Sequence, residues 1–152
     1  MVVILEYAAA EQEIKNLILT HAKTQVLQQI VDFLYQNFEK YTWVGIYLLQ
    51  GDVLVLGPWK GAQATEHTHI PLGKGVCGAA AASGKTEIVE DVSEDKRYLS
   101  CFPSTRSEIV VPIKKSQKIL GEIDIDSDKS AAFDSNDVLF LEKVADMLSK
   151  HI

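Results

Sequence analysis

Apolar residues at Ile14, Leu17, Ile18, Val26, Leu27, Ile30, Val31, Leu34 and Phe38 recur every three or four positions, the period of helices with one buried face. Residues 1–40 therefore read as mostly helical, with Thr20 marking a break between a short helix and a longer one. The period then changes to that of strands. Residues 43–49 and 53–56 alternate or run apolar around Gln50-Gly51-Asp52, a hairpin with a glycine turn, and residues 67–70 supply a third strand. Gly73-Lys74-Gly75-Val76-Cys77-Gly78 opens an alanine-rich helix over residues 79–82 that stops at Ser83-Gly84. Residues 86–89 read as a strand, and residues 91–106 as a long polar connection holding one helical turn. Residues 108–114 and 119–126 form a second hairpin around residues 115–118, and Asp134 starts a closing helix through Leu139, Leu141, Val144, Ala145 and Leu148. This order predicts an α+β fold: an antiparallel sheet with N- and C-terminal helices on one face and a loop-covered ligand pocket on the other.

Composition narrows the class of ligand. A chain of 152 residues, 47% hydrophobic and 24% charged, has the size and apolar content of one domain with its own core. Its net charge of -6, with basic residues scattered among acids, argues against nucleic acid and anionic membrane as partners. A small cationic or zwitterionic ligand fits better. Only two cysteines, Cys77 and Cys101, and no export signal read as a reduced, cytoplasmic protein. No apolar stretch approaches the length of a membrane span.

The chemistry is concentrated in the second hairpin and the loop before it. Those strands are apolar at Ile109, Val111, Ile123 and Ile125 but acidic at Glu108, Asp124 and Asp126. Carboxylates are poor strand residues and are seldom buried alone, so these must face a cavity or a cation. Cys101 lies just upstream, flanked by Lys96, Arg97 and Arg106, and nearby cations favour a thiolate. Other motifs read more plainly. Cys77, between Val76 and Gly78, is a small packing residue or a thiol activated at a helix start. His67 and His69 alternate without a third ligand motif, so no metal site is expected from them, and they read as loop or edge-strand residues. Asp124, Asp126 and Asp128 lack the glycine of a calcium loop. The Gly73 loop lacks the spacing of a nucleotide motif.

Several blocks taken together carry a family resemblance: Trp43-Val44-Gly45-Ile46-Tyr47-Leu48, Leu56-Gly57-Pro58, Ile70-Pro71-Leu72-Gly73-Lys74-Gly75-Val76-Cys77-Gly78, residues 107–113, and Leu120-Gly121-Glu122-Ile123-Asp124-Ile125-Asp126-Ser127. In this order they closely resemble the free methionine-(R)-sulfoxide reductases, which are single-domain GAF proteins. The resemblance implies one GAF domain over residues 1–152, with N-terminal helices to residue 40 and the sheet, pocket and closing helix over residues 41–152. It implies reduction of free L-methionine-(R)-sulfoxide without a cofactor. Trp43 and Tyr47 match the aromatic pair that walls the methyl-sulfinyl end of the substrate. Glu108, Asp124 and Asp126 match the acids that hold its amino group and sulfoxide, and Cys101 matches the nucleophile. Catalysis is thereby expected at Cys101, Glu108 and Asp126.

Three carboxylates in one pocket cannot all ionise cheaply, so one should hold a proton and can deliver it to the sulfoxide oxygen. Family members commonly carry a resolving cysteine where this chain has His67. Either Cys77 or an external thiol then resolves the sulfenic acid, with thioredoxin or another thiol as the reductant. The alternative is a GAF module that binds an amino-acid-like ligand and reduces little. A cyclic-nucleotide sensor is disfavoured by the acidic pocket. The N-terminal helices could mediate a homodimer.

Overall fold

Alternation along two central strands divides this molecule into a helical layer and a ligand layer. The structure is a computed structural model and describes residues 6–98 and 102–152. Its elements are α1 (Tyr7–Thr20), α2 (Lys23–Asn37), β1 (Trp43–Gln50), β2 (Val53–Gly61), β3 (His69–Pro71), α3 (Gly75–Ser83), β4 (Glu87–Val89), β5 (Ser107–Lys115), β6 (Lys118–Ser127) and α4 (Ser135–Ser149). The strands form one antiparallel sheet in the order β3-β2-β1-β6-β5-β4.

Side chains alternate across a strand, so each strand feeds both layers. Val44 and Ile46 of β1, Ile123 and Ile125 of β6, and Ile109, Val111 and Ile113 of β5 pack against Ile14, Ile30, Leu34, Leu141, Val144 and Leu148 from α1, α2 and α4. The opposite register of the same strands carries Trp43, Tyr47 and Val110 into a second cluster with Val76, Cys77, Ala80 and Ala81 of α3. The ligand face is thus covered by a small-sided helix as well as by loops.

A buried acid ties the helical layer together. Asp137, in the first turn of α4, is fully buried and accepts hydrogen bonds from Tyr7 Oη at 3.0 Å, Tyr41 Oη at 2.6 Å and Lys40 Nζ at 2.6 Å. It also completes a capping box with Asp134. Those hydrogen bonds hold its carboxyl below the usual carboxylate range despite burial.

Three elements differ from the sequence expectation, the first being α3, which starts at Gly75 inside the glycine segment rather than at residue 79. β2 runs to Gly61 rather than ending at residue 56, because β1 continues to pair with it as far as Trp43 opposite Gly61. Gly57 and Pro58 are absorbed by a register shift, and β3 pairs only with residues 53–55, which leaves Pro58 on an open edge where its missing N–H costs little. β3 begins at His69, so His67 lies in the loop ahead of it.

Candidate active site

Register brings the acids together. β6 lies between β1 and β5, so Asp126 is flanked by Trp43 and Glu108, Asp124 by Gly45 and Val110, and Glu122 by Tyr47 and Pro112. Glu122, Asp124 and Asp126 therefore stand in one row on the α3 side of β6, and Glu108 stands beside them from β5. All four are buried. Glu108 interacts with both Asp124 and Asp126, and carboxyl groups this close together disfavour one another's full ionisation. Burial raises the pKa of Glu122, Asp124 and Asp126, and the charge of Asp124 adds to the effect on the other two. Thr105 Oγ1 donates to Asp126 Oδ2 at 3.0 Å and favours its ionised form.

Several buried polar atoms have no hydrogen-bond partner among the described residues: Trp43 Nε1, Asp124 Oδ1, Asp126 Oδ1 and both oxygens of Glu122. Native interiors seldom tolerate this, and polar atoms of this kind on a pocket wall are what a ligand would satisfy.

The Trp43 indole lies flat on the sheet because two glycines leave it room. A Cβ at Gly45 or at Gly61 would overlap the ring itself. Trp59 stacks on Trp43 with ring centroids 6.2 Å apart, and Phe102 packs against it at 5.8 Å. Tyr47, on the same strand face, donates its hydroxyl to the His67 carbonyl at 2.7 Å and so holds down the loop ahead of β3. A cavity of about 10 Å³ lies between Tyr47, His67, Ile70, Val76, Cys77, Glu108 and Asp124. At that size the cavity has room for about one water.

Cys77 faces that cavity from α3. Its thiol donates to Asp124 Oδ2 at 3.4 Å, and burial followed by the surrounding acids pushes its pKa well up. Cys101 lies outside the described residues. Phe102, which follows it in sequence, is buried against Trp43, and Thr105 is bonded to Asp126, so the downstream side of the loop is anchored on the acidic row. Of the three cations expected to favour a thiolate, Arg97 is committed elsewhere, to Asp95 at 2.8 Å and Glu87 at 3.4 Å.

The structure thus gathers Trp43, Tyr47, Cys77, Glu108, Asp124 and Asp126 on one face. It adds Glu122, Trp59, Phe102 and Thr105, which the sequence reading did not place in the site. Glu122 had a signal there, since it continues the alternation of Asp124 and Asp126. The other three enter through contacts between separate elements.

Comparisons with known proteins bear on the fold and the family. The GAF domain family model matches residues 23–152. The chain is 38% identical over 117 residues to the free methionine-R-sulfoxide reductase of Escherichia coli (strain K12), covering 77% of this chain and 70% of that protein. Among solved structures, a free methionine-R-sulfoxide reductase from Neisseria meningitidis in complex with its substrate superposes with a TM-score of 0.89 at 36% identity, over 95% of this chain and 87% of that one. The reduced form of fRMsr from Staphylococcus aureus gives 0.88 at 38% identity, over 99% of both chains. A match across most of the chain, at this identity and with the same fold, leads to one conclusion: the chain belongs to the GAF domain family and, within it, to the free methionine-R-sulfoxide reductases.

Proposed function

We propose that this protein reduces free methionine-(R)-sulfoxide to methionine, with Cys101 as the nucleophile and the acidic row as both binding site and proton source. The observation that carries this reading is the clustering of Glu108, Asp124 and Asp126, buried together beneath a loop anchored through Phe102 and Thr105. An ionised carboxylate there takes the substrate ammonium, a group that a peptide-bound methionine lacks. A protonated neighbour delivers its proton to the sulfoxide oxygen as the Cys101 thiolate attacks sulfur. The sulfur–oxygen bond of the substrate breaks as a new sulfur–oxygen bond forms at Cys101, so methionine leaves and Cys101 carries the oxygen and the delivered proton as a sulfenic acid. Trp43 and Tyr47 wall the apolar end, and the closed cavity opens to admit the amino acid.

Cys77 then resolves the sulfenic acid. Its thiol already donates to Asp124, which can accept that proton as Cys77 sulfur attacks Cys101 sulfur and water leaves. The resulting disulfide is reduced by thioredoxin or another external dithiol.

The test is a single turnover of the fully reduced protein with free methionine sulfoxide. One equivalent of methionine should form, with Cys101 oxidised, and a Cys101→Ser variant should form none. Methionine released while Cys101 stays unmodified would overturn the reading. Binding without reduction would favour a ligand-binding GAF module instead.

A further inference from the structure

The reductase reading employs Cys77, Glu108 and Asp124 separately, yet their position as a set has a chemistry of its own. The Cys77 Sγ and one carboxylate oxygen each of Glu108 and Asp124 all lie within 4.8 Å of one another. Cys77 Sγ and Asp124 Oδ2 are 3.4 Å apart. Zinc bonds of about 2.3 Å to sulfur and about 2.0 Å to oxygen, at a tetrahedral angle, place such a pair about 3.5 Å apart. The separation is therefore already that of one edge of a coordination tetrahedron.

A second observation points to a ligand at this place. Asp124 is 4% exposed and lines the cavity, and its Oδ1 has no hydrogen-bond partner among the described residues. None of the residues lining the cavity is a lysine or an arginine. At about 10 Å³ the cavity is of ionic size, far too small for an amino acid. We propose that Cys77, Glu108 and Asp124 bind one thiophilic divalent cation of the zinc and cadmium class in the closed pocket.

The donor set chooses the class. Magnesium and calcium take shells of oxygen, whereas one sulfur with two oxygens suits zinc or cadmium, with the fourth position left to water. On binding, the Cys77 S–H bond breaks, the thiolate becomes a ligand and the proton passes to solvent. The occupied site withdraws two of the acids and the internal thiol at once, so the cation acts as a reversible inhibitor. No short sequence motif signals this site, because its ligands come from α3, β5 and β6.

The test uses full-length Cys101→Ser protein, in which Cys77 is the single remaining thiol, titrated with cadmium(II). A thiolate-to-cadmium absorption band near the usual ultraviolet position should rise to one equivalent per chain, and the metal should raise the melting temperature. The band should vanish when Cys77→Ser is added. Asp124→Asn and Glu108→Gln should each weaken binding at least tenfold while the thiol remains. No band in folded Cys101→Ser protein would overturn the proposal. A band of unchanged affinity in both carboxylate variants would also overturn it, since it would reduce the site to a lone thiol.

Discussion

Trp43 and Gly45 lie two residues apart on the same face of β1, and the indole of the first occupies the space that a side chain on the second would need. The Gly45 Cβ would sit 2.5 Å from Trp43 Cζ3 and nearer still to Cη2. Because Trp59 and Phe102 hold the ring on its other sides, it cannot simply swing away. Gly45→Ala should therefore cost about 1–3 kcal/mol of stability through overpacking. It should also raise KM for methionine sulfoxide more than it lowers kcat. Chemical denaturation and steady-state kinetics of the same preparation check both parts, and an unchanged KM would remove Trp43 from the substrate wall.

Glu108→Gln and Asp126→Asn retain shape and remove charge and proton exchange from the acidic row. Each should lower kcat/KM by about 10²-fold or more, the scale of a lost general acid, while the melting temperature changes little or rises. Unfolding of either variant would make these acids structural instead.

Recycling can be read by mass. After one turnover the protein should have lost two hydrogens, as an internal Cys77–Cys101 disulfide. Cys77→Ser should instead accumulate a trappable sulfenic acid on Cys101 and turn over slowly with thioredoxin. A sulfenic acid that persists in the wild-type protein would assign resolution to an external thiol.

Glu122 should make stability fall as pH rises. Burial raises its pKa in the folded state, so its contribution is fully present below the unfolded value of about 4.3 and is lost as pH climbs through the folded value. Glu122→Gln removes that loss. The variant should match the wild type near pH 4 and melt higher at pH 8. Parallel melting curves across that range would show that Glu122 is neither desolvated nor shifted.

Asp137 works in the opposite sense. Its pKa is held down by Lys40, Tyr41 and the backbone of Asp134, so its contribution is present above the unfolded value of about 3.9 and is lost as pH falls. Asp137→Ala leaves two tyrosine hydroxyls without their acceptor and the Lys40 ammonium with the Ala132 carbonyl but no counter-charge, at a cost of about 3 kcal/mol. Urea denaturation at pH 7 measures it. A variant that is only slightly destabilised would mean that water replaces the carboxylate.

What the chain determines alone is what repeats within a few residues. The apolar period of Ile14 to Phe38 set two helices, Asp134 set the start of α4, and the alternation of Ile123 and Ile125 with Asp124 and Asp126 put acids on one face. Backbone geometry fixes those periods, so they can be read locally. The same alternation already carried Glu122 into the row, although only its complete burial shows that it belongs with the others. Tertiary structure decided the rest. The pairing of Glu108 with Asp126 depends on strand register, since a slip of one residue would turn these acids to the helical face. The bond from Cys77 to Asp124 spans 47 positions, that from Thr105 to Asp126 spans 21, and the stacking of Trp59 on Trp43 needs β2 to extend past Pro58. No local period encodes such contacts, because each exists only once separate elements have packed at a particular register and distance.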